Sequence, residues 1–382
     1  MDRLRPTDLT ALVALRHDLH RHPEVSGQEE ATAHRIADTL SAMGVDQIVT
    51  GLGGHGVAAV IASGVPGPTV LLRCELDALP IQETGTSAHH SVVSGRAHLC
   101  GHDGHMATVL GAGRMLLRRR PARGRVVLMF QPAEEDGTGA IAVCDDPAFA
   151  ALAPDWAFAL HNMPDIKKGT AHVPVGLSSA PSVGLTLAFA GVEAHACAPE
   201  TGISPGAAMA SLLTGLPALS QGAFPAPDFR LVTVTHAQLG RPTFGIAPGQ
   251  GTVFATCRTA SDATLSALIG DARASAEDTA RAHGLTLTVA EADRFLAGVN
   301  DPHAAALLQG ASDAVGLVTV PGLPLRASED FGRFGHDCRA AMLLLGAGPG
   351  PALHNPDYDF DDDLIGPGAA VLVHAARAAL SR

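Results

Sequence analysis

The residues best equipped for chemistry sit in one short stretch, His98-Leu-Cys-Gly-His-Asp-Gly-His105. Three histidines, one cysteine and one aspartate fall within eight positions, with glycines where the backbone must bend. Cys100 and His102 are one residue apart. On a locally extended segment, both side chains would project to the same side. A thiolate and an imidazole placed that way suit two ligands of one metal centre. Taken alone, such a pair is more often an inert buried thiol beside polar helix-start residues. It must therefore be weighed with Gln131-Pro-Ala-Glu-Glu135, Leu160-His-Asn162 and His354-Asn-Pro-Asp-Tyr358.

Glu134 and Glu135 are adjacent. On a loop, neighbouring side chains diverge, so one can ligate a metal while the other faces substrate as a general base. Cys100, His102, Glu135, His161 and His354 make five ligand-type groups. A single zinc site needs three or four. Five, with one bridging, suit two divalent ions held close together. Asp77 reads either as a carboxylate supporting that set from behind or as a helix-start cap. His195, within Gly191-Val-Glu-Ala-His-Ala-Cys-Ala-Pro199, reads on its own as a structural histidine on a strand-loop.

The elements that must position these groups follow from periodicity. Apolar positions at helical spacing predict helices from about Thr7 to His22, Gln28 to Met43 and His102 to Arg119. Strands are expected over Val57–Ala62, Thr69–Arg73, Arg125–Phe130, Trp156–Leu160 and Ala341–Leu345, with a short helix over Gly137–Cys144. Asp77, Glu134 and Glu135, His161 and His354 each follow one of these strands. Strands separated by helices imply a largely parallel sheet, and ligands collect at the carboxyl ends of such strands. Four strand ends carrying ligand-type residues argue for a site more strongly than any single motif.

Residues 182–290 have a different grammar. Val183–Ala190, Arg230–His236, Thr252–Arg258 and Leu285–Ala290 read as strands, and Ser204–Gln221 and Asp262–His283 as helices. That is the β-α-β-β-α-β order of a ferredoxin-like domain. The expectation is an α/β chain: a catalytic domain of residues 1–181 and 291–382, with a mixed, largely parallel sheet flanked by helices, and an inserted α+β domain of residues 182–290. Asp301–Ala314 and Asp363–Ser381 are expected to be the closing helices.

A length of 382 residues favours two domains, and 46% hydrophobic content excludes a disordered chain. A net charge of −12 argues against nucleic acid as a partner. The basic run Arg118-Arg-Arg120 ends a predicted helix, where cations suit the dipole. The six scattered cysteines include no C-x-x-C pair, which suits a reducing compartment and a cytoplasmic protein. The charge-interrupted N-terminal pattern reads as neither a signal peptide nor a membrane span.

The motifs closely resemble the M20 metallopeptidase superfamily, in particular its amidohydrolase branch of hippurate hydrolases, N-acyl-amino-acid aminoacylases and plant auxin-conjugate hydrolases. RHDLHRHPE at Arg16–Glu24, LRCELDALPIQE at Leu72–Glu83, CGHDGH at Cys100–His105 and FQPAEE at Phe130–Glu135 come in family order. ALHNMP at Ala159–Pro164, AHACAP at Ala194–Pro199, SEDF at Ser328–Phe331 and HNPDYDFDDD at His354–Asp363 follow. The resemblance implies Cys100, His102, Glu135, His161 and His354 as ligands of two divalent ions. Zinc is favoured by the thiolate, with manganese, cobalt or nickel as alternatives. It implies Glu134 as the general base, Asp77 as its supporting carboxylate, His195 as a transition-state contact and Arg258 as the partner of a substrate carboxylate. The inserted domain becomes a lid and dimerisation element, and the substrate a small N-acyl amino acid, with no membrane partner. Two departures stand out. Glu75 occupies the position where the family usually has Asp, and Gly245 stands where it usually has Asn. The rival readings are a dipeptidase or aminopeptidase on the same scaffold, and a metal-stabilised binding protein without catalysis.

Overall fold

The computed structural model describes residues 3–382. The chain divides into two compact units. The first holds the chain up to Ser178 together with Gly298–Leu323 and Asp330–Arg382; the second holds Ser179–Ala297 and Pro324–Glu329.

The first unit is built on an eight-stranded sheet. Its spatial order is Gln47–Leu52, Gly56–Ala62, Arg125–Gln131, Thr69–Glu75, Trp156–Pro164, Arg339–Gly348, Thr170–His172 and Val318–Val320. The four central strands run parallel. The two strands at one side and the junction with Thr170–His172 are antiparallel, which makes the sheet mixed but largely parallel. Thr69–Glu75 is buried along its whole length, as a strand covered on both faces must be. Gly56–Ala62 and Thr69–Glu75 flank a turn in sequence but do not pair. Arg125–Gln131 lies between them, antiparallel to the first and parallel to the second. Gln47–Leu52 was not expected, because its half-exposed edge carries no continuous apolar run.

Helix His102–Arg118 is buried over most of its length and packs against Pro6–Arg21 and Ile365–Leu380. Its first turn admits only glycine at position 104, where a Cβ would lie 2.4 Å from the Phe360 ring. Leu12, Met106, Leu110, Leu128, Phe158 and Leu372 belong to the main core around it.

The second unit carries a four-stranded antiparallel sheet in the order Arg230–Leu239, Gln250–Thr259, Ser182–Ala190 and Thr286–Phe295. Its core includes Val183, Leu187, Val253 and Leu265. The helix expected over Ser204–Gln221 is confined to Gly206–Gly215. Leu216 is still helical, but Pro217 has no N–H to continue the hydrogen-bond ladder, so the helix ends there and a 3-10 turn of Pro217–Leu219 follows.

Candidate metal centre

Cys100 and His102 do not share an extended segment. Gly101 adopts a left-handed conformation with φ 92°, and His102 opens the helix. The glycine is required twice over, because a Cβ there would also lie 2.4 Å from Asn162 Oδ1. The turn still brings the two side chains together with a third. Cys100 Sγ, a His102 ring nitrogen and a His161 ring nitrogen lie within 4.8 Å of one another. Cys100 Sγ stands 3.4 Å from His161 Nε2. The same cysteine also groups with Glu135 and His354 at the same spacing, and His102 groups with Glu134 and Glu135. The His354 ring Nε2 lies 3.5 Å from Glu135 Oε2. All five sequence-selected ligand residues are thus brought into one cluster, with Cys100 common to two of its groups.

The ring nitrogens are oriented for donation to a cation. His102 Nδ1 lies 2.8 Å from the Asp77 carbonyl oxygen, and His161 Nδ1 lies 2.7 Å from the Asn162 carbonyl oxygen. A carbonyl can only accept, so both Nδ1 atoms carry hydrogen, and in the neutral rings both Nε2 atoms present lone pairs. Burial works against charge on His102, but Cys100 and Asp77 outweigh it and raise its pKa, so a cation there would take the place of that Nε2 proton. The Nε2 of His102 is buried with no hydrogen-bond partner among the described residues. A buried unpaired acceptor among carboxylates and a thiol fits a cation site, and the mixed sulfur, nitrogen and oxygen donors fit a divalent ion. Burial, reinforced by the neighbouring His105, holds the His161 ring at a pKa of about 3, so it stays neutral and able to ligate. Burial, with help from Glu135, pushes the Cys100 thiol well above its usual range. A divalent cation would reverse that and hold it as thiolate.

Asp77 is wholly buried and no helix starts beside it, the next one beginning at His102, which removes the capping alternative. Its Oδ2 accepts from Ser26 Oγ at 2.7 Å and from the Glu135 backbone N–H at 2.9 Å, and its Oδ1 lies 3.5 Å from His102 Nδ1. Burial works to raise its pKa, but the His102 contact outweighs this and holds it low. It touches both a ligand ring and the Glu134–Glu135 loop. Glu134 is buried, with Oε2 4.0 Å from His102 Nε2 and Oε1 accepting from the Asp330 N–H at 3.4 Å. His161 lies inside the strand Trp156–Pro164 rather than beyond its end. His354 sits in a loop in a left-handed conformation with φ 66°, its N–H bonded to the Leu99 carbonyl at 2.8 Å.

His195 and Arg258 belong to the second unit. His195 is exposed, on a two-residue strand paired with Ile246–Ala247. Its Nδ1 accepts from the Cys197 N–H at 3.1 Å, so in the neutral ring Nε2 carries the hydrogen and can donate. Arg258 is half-buried, donates to Ser328 Oγ at 2.6 Å and meets no carboxylate among the described residues. Gly245 neighbours this strand, and a Cβ there would meet open space.

Sequence reasoning gave no role to His105, Asn162 or Glu29, and noted Glu75 only as a departure from the family pattern. His105 Nδ1 lies 2.6 Å from Glu75 Oε2, and its Nε2 lies 2.6 Å from Asn162 Oδ1. Glu75 also pairs with Arg73, and Asn162 donates to the Tyr358 hydroxyl. Apart from Arg73 and Glu75, two residues apart on one strand, these pairings are not visible in spacing, because the partners lie tens of residues apart or more.

Residues 71–378 match the model of peptidase family M20/M25/M40. The chain is 30% identical to N-acetylcysteine deacetylase of Bacillus subtilis over 365 residues, 93% of each chain. It is 28% identical to hippurate hydrolase of Campylobacter jejuni, over 92% of each. A solved Bacillus subtilis structure described as a dinuclear metal-binding peptidase of the M20 family superposes with a TM-score of 0.81 at 27% identity, covering 98% of this chain and 99% of that one. The family match begins within Thr69–Glu75, leaves out the two antiparallel strands at one side of the sheet and covers the whole ligand cluster, and the chain belongs to peptidase family M20/M25/M40, hydrolases of amide bonds.

Proposed function

We propose that the protein cleaves N-acyl amino acids to a carboxylic acid and a free amino acid. The observation that carries the reading is the cluster in which Cys100 is common to a His102–His161 group and a Glu135–His354 group. Five donors around one shared thiol suit two divalent ions, with zinc favoured by the sulfur ligand. When bound, the ions would supply Lewis acidity, polarising the amide carbonyl and lowering the pKa of water.

The chain's own residues do the rest. Glu134 accepts the proton of the attacking water and passes it to the leaving amine nitrogen, so one water is consumed per amide broken. Asp77 holds the His102 ring and the Glu135 backbone, which keeps ligand and base in register. His195 Nε2–H donates to the developing oxyanion, and Arg258, lacking a carboxylate of its own, takes the carboxylate of the amino acid. The second unit is read as a lid and dimerisation element, and the protein as a cytoplasmic homodimer. Six free cysteines support a reducing compartment, and among the described residues no helix is long and apolar enough to cross a membrane.

Metal-reconstituted protein assayed on a panel of N-acyl amino acids and the matching free dipeptides tests the reading. Turnover of the N-acyl compounds is expected. Preference for free dipeptides would replace the reading with a dipeptidase. Binding without turnover by fully metallated protein would replace it with a binding protein.

A further inference from the structure

The segment Glu24–Glu29 runs behind the candidate site and touches it at three successive points. The Glu24 carbonyl accepts from the Ala78 N–H at 2.8 Å, and Ser26 Oγ donates to Asp77 Oδ2 at 2.7 Å. Glu29 Oε1 accepts from the Ala133 N–H at 2.8 Å and the Gly27 N–H at 2.9 Å. Glu29 is wholly buried, and its Oε2 has no hydrogen-bond partner among the described residues. Burying a carboxylate without a cation is costly, so its retention calls for a reason.

The local geometry supplies one. Ala133 has φ 50°, a left-handed conformation that a residue with a Cβ adopts only when its surroundings impose it. Ala133 immediately precedes Glu134 and Glu135. Its carbonyl accepts from the Gly139 N–H at 2.9 Å, which closes the loop from the far side. The Gly139–Asp145 helix is held there by the Ala140 N–H donating to Asp330 Oδ2 at 2.8 Å. On the near side, Glu29 is the contact that fixes the Ala133 amide. Glu29 is itself fixed as the residue that opens helix Glu30–Met43, whose first turn is capped by the Glu24 carboxylate through the Ala31 and Thr32 N–H groups. The unpaired charge therefore sits at a helix start, where the backbone dipole favours it.

We infer that Glu29 is a positioning residue: through the Ala133 amide it sets the direction in which Glu134 and Glu135 leave the loop. The inference rests on the proposed roles of those two residues for its catalytic consequence, but not for its structural one. What matters on this account is an acceptor oxygen at the right reach, not the charge.

Three variants of the full chain separate these: Glu29→Ala removes the acceptor, Glu29→Asp keeps the charge but withdraws it by one methylene, and Glu29→Gln keeps an oxygen at the same reach. Two readouts need no substrate, namely hydrogen exchange of the Ala133 amide and zinc affinity in chelator competition. Glu29→Ala and Glu29→Asp are expected to speed Ala133 exchange and weaken zinc binding, while exchange in helix His102–Arg118 stays as in the wild type. Their kcat is expected to fall by up to about 10²-fold with little change in KM, the size of effect expected when a reacting group is displaced by about an ångström. Glu29→Gln is expected to recover most of both losses. Should Glu29→Ala fail to fold, the Asp and Gln pair still decides. Wild-type exchange at Ala133 in Glu29→Asp overturns the inference, as does a Glu29→Gln variant as impaired as Glu29→Asp. A wild-type protein that turns over no N-acyl amino acid, yet shows this pattern in exchange and zinc affinity, would sink the functional proposal and leave the positioning role standing.

Discussion

His102 and His105 stand three residues apart on the same helix, both wholly buried, and the chain treats them in opposite ways. His105 has both ring nitrogens engaged, by Glu75 on one side and Asn162 on the other. His102 has one nitrogen held by the Asp77 carbonyl and the other left without a hydrogen bond, facing Glu134 and Glu135 at 4.0 and 3.9 Å. A saturated ring is a structural strut, and a ring fixed at one nitrogen and open at the other is a ligand in waiting. The lesson is that residue type and burial do not separate the two roles. The difference lies in whether the local backbone and side chains exhaust the ring's hydrogen-bonding capacity.

The comparison is tested first on its open side. Glu134→Gln keeps the side chain's shape but cannot take a proton, so turnover is expected to fall by about 10²–10⁴-fold while metal content stays near that of the wild type. Near-normal turnover would remove Glu134 from the chemistry.

A smaller loss, of about 10²-fold in kcat, is expected for His195→Ala if its Nε2–H stabilises the oxyanion, again with metal and fold intact. If the protein is the homodimer proposed above, verified mixed dimers of His195→Ala and Glu134→Gln sharpen this. Recovered activity would mean that His195 serves a partner's site, and no recovery that it serves its own.

Metal analysis probes the two rings directly. Cys100→Ser and His102→Ala are each expected to lose or loosen at least one ion after dialysis, since a hydroxyl or a methyl replaces a strong donor. His105→Ala is expected to keep both ions but to lose about 1–3 kcal/mol of stability, because Glu75 and Asn162 are left short of a buried partner. If His105→Ala loses metal as readily as His102→Ala, the distinction between strut and ligand collapses.

An effect on stability rather than on turnover or metal concerns His20. Burial works to lower its pKa, but the Asp103 carboxylate at 2.9 Å from Nδ1 and Glu83 at 3.3 Å from Nε2 outweigh it, holding the ring at about 10 against an ordinary 6.5. The folded state keeps a proton that the unfolded chain releases. The stabilisation is therefore complete below about pH 6.5 and is lost as pH rises through about 10. Thermal melts of metal-free protein over that window should show a decline in the wild type that is shallower in His20→Gln. Parallel curves would detach His20 from the alkaline loss.

Much of this architecture was readable in advance, for identifiable reasons. The central strands announce themselves because a strand covered on both faces must be continuously apolar, as in Arg125–Gln131. The edge strand Gln47–Leu52 does not, since its half-exposed pattern resembles a loop. Helix Asp262–Ala282 is legible from its Ser261 cap and apolar period, whereas Ser204–Gln221 overreached because Pro217 outweighs the propensity around it. The membership of Pro324–Glu329 in the second unit could not be read, because it rests on backbone contacts of Ala180 with Leu325 and Ala327, far away in sequence.

The site divides along the same line. The sequence by itself determined the candidate donors, because thiol, imidazole and carboxylate chemistry belongs to residue type, while the placement of His161 inside its strand and of His102 at a helix start was decided by the fold. Only the tertiary structure decided that Cys100 is common to two donor groups, that His102 is open where His105 is closed, and that Glu29 reaches Ala133 across more than a hundred positions. Those outcomes depend on which hydrogen bonds are already taken and on a left-handed turn at Gly101, and both are properties of distance in space that spacing along a chain does not encode.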